Sequence, residues 1–142
     1  MRDARKEIVG AWITAINTAI PTRKVFTVVP KAEINGGTNP PNEYIYISDI
    51  YQEENGTKRR FMYSYELLIQ VVYNDIVEKL TMWADVNAIL GIITNQRDLV
   101  LGNDFDLMQI QLLSSTEEDI LTDTGLKNIC PIRIKMDIED LQ

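Results

Sequence analysis

The segment RFMYSYELLIQVVYN, Arg60 to Asn74, restricts the fold of this chain more than any other stretch. Its odd positions, Phe61, Tyr63, Tyr65, Leu67, Ile69, Val71 and Tyr73, are all large and apolar, whereas its even positions mix Met62, Leu68 and Val72 with Ser64, Glu66, Gln70 and Asn74. Alternation with period two sends successive side chains to opposite faces of a β-strand, one face in a core and the other partly covered. A strand of this length exceeds the usual run of about five or six residues. It is therefore expected to be the spine of a sheet, either central or projecting beyond its neighbours.

The whole chain, 142 residues, fits one domain spanning 1–142, and a domain of that size buries roughly 70% of the surface its unfolded chain exposes. An apolar share of 45% and a charged share of 25% are ordinary for a globular protein. No apolar run reaches the ~18 residues of a membrane span. Arg2, Arg5 and Lys6 precede an apolar helix, but Glu7, Asn17 and Thr18 interrupt it and no small-residue cleavage site follows, so no signal peptide is expected. The single cysteine, Cys130, excludes an internal disulfide and a thiolate zinc site and is expected in the core. A net charge of −7 argues against a sequence-independent grip on DNA, which depends on cations neutralising phosphates. Histidine is absent, which removes Ser-His-Asp and Cys-His pairs, HExxH zinc sites and any side chain that titrates unperturbed near neutrality. No catalytic residue, cofactor or metal is expected.

Taken in order, Asp3 to Ile20 carries Ile8, Trp12, Ala15, Ile16 and Ala19 at helical spacing, with Asp3 as a cap and Pro21 as the stop. Its apolar arc, widened by Val9, Ile13 and Ile20, is read either as a well-buried helix or as one that also packs on another subunit, with Trp12 the candidate contact. Val25 to Val29 is a short β-rich run. Pro30 to Asn42 follows as a flexible surface loop, because Asn35, Gly36-Gly37 and Pro40-Pro41 oppose regular structure; no GK[ST] context supports phosphate binding. Glu43 to Tyr51 alternates as a strand and leads through QEENGTKRR, a hairpin tip over 52–59 centred on Asn55-Gly56. Glu53 and Glu54 on one limb oppose Lys58, Arg59 and Arg60 on the other. That arrangement suits a solvated hairpin with cross-strand pairs, or a finger docking on a neighbouring subunit or turning its basic limb to nucleic acid.

Beyond the spine, Asp75 and Glu78 resemble a capping box for a helix running to about Asn95, with Ile76, Leu80, Trp83, Val86, Leu90 and Ile93 as its buried stripe and Ala84, Ala88 and Gly91 as a strip of small residues beside it. Phe105 to Leu113 and Asn128 to Glu139 are read as closing strands, with Met108, Ile110 and Leu112 on one face of the first and Pro131 marking an edge or bulge in the second. Ser114 to Gly125 is read as an acidic, turn-rich connection. Asp104 and Asp106 form a D-x-D that a divalent cation could use, though a solvated turn explains it better, since no further oxygen ligand is identifiable. The expected fold class is α+β: a two-layer domain with an antiparallel sheet of about four strands, helices packed on one face, and the order helix, two strands, helix, two strands.

Element order and patterning across nearly the whole chain resemble the tail-completion, tail-terminator and head-to-tail joining proteins of tailed bacteriophages. The likeness is carried by the N-terminal helix, by KVFTVVPKAEINGGTNPPNEYIYIS with Pro41 leading into Tyr44-Ile45-Tyr46-Ile47, by the long strand Phe61 to Tyr73, by the helix EKLTMWADVNAIL and by two closing strands. The loop at Pro30 to Asn42 and the acidic stretch at Ser114 to Gly125 are longer than in the commonest form. The resemblance implies a non-enzymatic structural protein of the virion neck or tail, made in the host bacterial cytoplasm, that closes into a homo-oligomeric ring and meets neighbouring head, neck or tail proteins. DNA would pass through its lumen without specific binding, and no membrane is involved. The contacts are expected at Trp12, at Asn35, Gly36 and Gly37, and at Glu53, Glu54, Asn55, Gly56, Lys58, Arg59 and Arg60. A small adaptor that binds by strand addition, or a divalent-metal enzyme using Asp104, Asp106 and Glu66, are the alternatives.

Overall fold

The alternating segment forms a strand over Met62–Tyr73, here β3, whose Tyr65, Leu67, Ile69, Val71 and Tyr73 are all buried. The structure is a computed structural model that describes residues 2–28, 42–53, 62–74, 79–95, 98–122 and 125–141. Antiparallel neighbours flank β3 on both sides: β2, Glu43–Glu53, and β6, Gly125–Asp140. The register aligns Ile45 and Ile47 with Val71 and Ile69, and these with Cys130 and Ile132. Leu67 and Tyr65 continue the same rows into Ile134 and Met136. One face of three central strands is thus a continuous apolar surface, and both helices contribute side chains to the single core cluster that covers it.

The first helix, α1 (Arg5–Ala19), buries Ile8, Ala11, Trp12, Ala15 and Ile16. Apolar residues recurring at three- and four-residue steps make one stripe of it. Asp3 Oδ1 accepts a hydrogen bond from the Arg5 backbone at 3.0 Å, although the cap position itself is Ala4. Pro21 ends the helix because it cannot donate to the next turn. Ahead of α1, Arg2 reaches Asp140 at 2.7 Å and lies over the Phe105 ring at 4.3 Å, tying the start of the chain to the last strand.

The expected four-stranded antiparallel sheet, in the order helix, two strands, helix, two strands, is overturned by the observed topology. The sheet is mixed and six-stranded, and the chain runs α1, β1 (Lys24–Phe26), β2, β3, α2 (Leu80–Thr94), β4 (Phe105–Ser115), β5 (Glu118–Thr122), β6. In space the strands lie β1-β2-β3-β6-β4, with β5 also on β6. The short run near Val25 is a sheet member: β1 pairs parallel to β2, Lys24 opposite Tyr44 and Phe26 opposite Tyr46. Parallel neighbours need a connection of about a dozen residues or more, and 27–42 supplies it. The acidic stretch read as a connection contains β5, which pairs Glu118 with Ile129 and Ile120 with Lys127. Solvent on both faces of β5 left no apolar alternation to mark it as a strand.

Three further expectations are corrected. β6 is an inner strand, and Pro131 sits opposite the break between β4 and β5, where the Thr116 amide meets its carbonyl at 3.4 Å. A residue without an N–H is tolerated there because the ladder is already interrupted. The buried face of α2 is Met82, Asp85, Val86, Ile89 and Ile92, so Leu80 and Trp83 point outwards. Residues 75–78, proposed to cap that helix, lie outside the described residues. In β4, Leu107 and Ile110 pack on the core, whereas Met108, expected beside Ile110, falls at a bulge and is exposed.

Candidate interaction surfaces

Asp85 explains why α2 is turned as it is. A lone carboxylate on an otherwise apolar helix face is costly to bury unless charge and hydrogen bonds compensate it. Arg23, in the turn between α1 and β1, donates from Nε to Asp85 Oδ2 at 2.7 Å, and Tyr73 at the end of β3 donates its hydroxyl to the same oxygen at 2.5 Å. Arg23 Nη2 also donates to the Tyr73 hydroxyl at 2.8 Å, closing a triangle. Burial, then the hydrogen bond to Asp85, push the Tyr73 hydroxyl far above its usual pKa. Burial pulls the Arg23 guanidinium down, but its bonds to Asp85 and Tyr73 outweigh that and leave it raised. With Tyr73 and Asp85 each 5% exposed, the triangle offers no room for a substrate and fastens three elements together.

A second network lies where α2 begins. Lys79 donates to Glu117 at 2.8 Å and to Asp119 at 3.0 Å, and Trp83 Nε1 donates to the other Glu117 oxygen at 3.0 Å. Asn128, fully buried on β6, donates from Nδ2 to Glu117 at 2.8 Å and to Asp119. The bond from Lys79, then that from Trp83, holds the Glu117 carboxyl below its usual range, and Lys79 followed by Asn128 does the same for Asp119. Around this network the surface is apolar: Leu80 is 66%, Trp83 45% and Leu121 85% exposed. The bonds to Glu117 and Asp119 set Leu80 and Trp83 beside the face of β5 that carries both Asp119 and Leu121.

The far face of the sheet is charged and paired. Tyr51 donates to Glu66 at 2.5 Å, Arg133 lies 3.6 Å from the same carboxylate, and Ser64 donates to Asp137 at 2.6 Å. Asp104 precedes β4 in a turn where Asn103 and Asp104 both take positive φ, 56° and 61°, closed by the Phe105 amide on Gly102. Consecutive left-handed residues of this kind make a tight reversal that asparagine and aspartate tolerate best. Asp104 therefore does not share a strand face with Asp106, and Glu66 is occupied elsewhere. Among the described residues no group of three or more carboxylate, cysteine or histidine side chains could hold a metal ion. No helix among them is long and apolar enough to cross a membrane.

Of the contact residues expected from the sequence, Trp12 is in the core with 0% exposure and its indole N–H is 3.3 Å from Met136 sulfur, so its side chain is engaged within its own subunit. Glu53 is the last residue of β2 and pairs with Ser64 of the antiparallel β3. Asn35, Gly36, Gly37, Glu54, Asn55, Gly56, Lys58, Arg59 and Arg60 lie outside the described residues. Sequence reasoning missed both polar networks. A signal for the first was present, since Asp85 is the only charged residue in the α2 segment LTMWADVNAILGIIT.

No protein-family model matches this chain, and no curated protein matches it. Among solved structures, the chain is similar to one from the virion of a native gene transfer agent particle, at 17% identity and a TM-score of 0.65, covering 94% of this chain and 93% of that one. At that identity the likeness is one of fold.

Proposed function

We propose that this chain is a structural protein of a tailed-bacteriophage-like virion, without catalytic activity, that assembles into a homo-oligomeric ring at the neck or tail end. The observation that carries this reading is the end-to-end fold likeness to a chain of a gene transfer agent virion, which covers nearly all of both chains. It agrees with the independent resemblance of the sequence to tail-terminator and head-to-tail joining proteins. Identical subunits meeting through two different surfaces close into a ring when the rotation fits. The hairpin limb with Glu53, Glu54, Asn55, Gly56, Lys58, Arg59 and Arg60, and the segment with Asn35, Gly36 and Gly37, are proposed as contacts. A balance of −7 suits a lumen through which DNA slides without being held. Electron microscopy and light scattering of the purified chain test the proposal: ring-shaped particles of defined mass are expected, and a monomer at every concentration, alone and with neck components, overturns it.

A further inference from the structure

The Leu80, Trp83 and Leu121 surface lies at one end of the sheet, and the β2–β3 connection lies at the other. The register between β3 and β6 runs without interruption from Tyr73 opposite Asn128 to Met62 opposite Glu139. At about 3.4 Å per residue these ends are roughly 35–40 Å apart. The first end is rimmed by Glu117 and Asp119, two carboxylates that share one lysine, Lys79. The sequence joining β2 to β3 at the other end includes Lys58-Arg59-Arg60, three consecutive cations. The two are complementary in charge, and the strand ends that flank the basic sequence, Glu53 and Met62, lie at the far end of the sheet from the carboxylate rim.

Apolar exposure of this kind is what partner surfaces show. Interface centres are depleted in charge and enriched in aromatic residues, and tryptophan is prominent among the side chains whose truncation costs most. The bond from Trp83 Nε1 to Glu117 restrains the indole, so less side-chain freedom is lost when a partner covers it. Its neighbours along the outer side of α2, Ala84, Asn87 and Gly91, are exposed and uncharged.

We infer that the surface of Leu80, Trp83 and Leu121, with Glu117 and Asp119 at its rim, receives the Lys58-Arg59-Arg60 limb of a second copy of this chain in a head-to-tail contact. The inference rests on the ring reading above and specifies the receiving half of its contact. Such a contact is heterologous by construction, because donor and receiver are different surfaces of one subunit. Leu80, Trp83 and Leu121 supply apolar cover, while the carboxylate excess selects a basic limb over other segments and fixes its direction.

Charge exchange in the full chain tests this by light scattering over a concentration series. Leu121→Arg places a cation on the receiving surface, and Arg59→Glu reverses one on the limb; circular dichroism melts confirm that both variants fold. Each is expected to raise the concentration at half-assembly by at least ~10-fold, in line with losses at interfacial charge pairs. An equimolar mixture of the two variants is expected to assemble again, because the new arginine then meets the new glutamate. Rings that form unchanged from either single variant overturn this inference and leave the ring reading standing. Disruption without recovery in the mixture also overturns it. Wild-type chain that stays monomeric throughout overturns both.

Discussion

Asp85 shows how one side chain can set the orientation of a helix. Its carboxylate, Arg23 and Tyr73 satisfy one another at 2.5–2.8 Å, so a residue that a simple apolar template rejects from the core becomes its polar anchor. Removing one partner of a buried pair leaves the other charge uncompensated, so Asp85→Ala is expected to cost about 3 kcal/mol, the low end of the usual range because Arg23 keeps some solvent contact. Tyr73→Phe, which removes only the hydroxyl, is expected to cost about 1–2 kcal/mol. Urea unfolding monitored by circular dichroism measures both, and an Asp85→Ala midpoint equal to wild type would refute the anchor. By contrast, Arg133→Ala at the half-exposed Glu66 pair is expected to change stability by under ~1 kcal/mol. Tyr73 adds a pH signature. Its folded pKa is raised above the ordinary 10.0, so the stability it contributes is complete below pH 10 and falls as pH rises beyond that value. A Tyr73→Phe variant should lose that part of the alkaline decline.

Among the elements, β2, β3, β4 and β6 were legible as strands, whereas β5 and the pairing of β1 were not. Burial on one side imposes alternation, which is why β3 and the latter part of β6 stand out in the sequence, with Ile69 and Ile132 facing each other in the core. Ile69→Ala is expected to destabilise by about 2–5 kcal/mol, the range for emptying a close-packed site, and thermal melts will show whether it does. β1 was readable as an extended run but not as a parallel neighbour of β2, since pairing partners are set by the sheet and not by local propensity. β5 carries acids and exposed aliphatics on a strand supported from one side only, so no burial pattern recorded it. The network of Lys79, Glu117, Asp119, Trp83 and Asn128 was equally invisible, because it joins three elements through contacts that no local periodicity records, Lys79 to Asp119 across 40 residues of chain and Trp83 to Glu117 across 34. Glu117 and Asp119 have folded pKa values below their ordinary 4.5 and 3.8, so their contribution is present above those values and is lost as pH falls below them. Acidification from pH 5 to about 3 is therefore expected to free β5 from α2 before the core unfolds, seen as a change in Trp83 emission in a Trp12→Phe background. Emission that changes only with global unfolding would exclude a separate step.

The molecule as a whole has two unlike layers. The outward-facing positions Ala84, Asn87 and Gly91 of α2 carry no charge, α1 exposes Arg5 and Lys6 only in its first turn, and the far side of the sheet carries Glu66, Arg133, Asp137 and Glu139. Such asymmetry suits a subunit that presents different surfaces to protein neighbours and to solvent, and raising salt is expected to weaken a contact that uses Lys58-Arg59-Arg60. Sedimentation at 50 mM and 500 mM sodium chloride checks this, with salt-independent assembly arguing against an ionic contribution. The seam at Pro131 has its own bearing on how the molecule moves. Beside it β4 gives way to β5, and the seam is spanned by the Thr116 amide, 3.4 Å from the Pro131 carbonyl, and by the Ser115 hydroxyl, 3.7 Å from the Cys130 sulfur. Deuterium uptake ought consequently to follow two tempos: slow along 132–138, where β6 is laced to strands on both flanks, and faster along 118–122, where β5 is laced to β6 alone and lifts on this crease once its tie to Lys79 is broken.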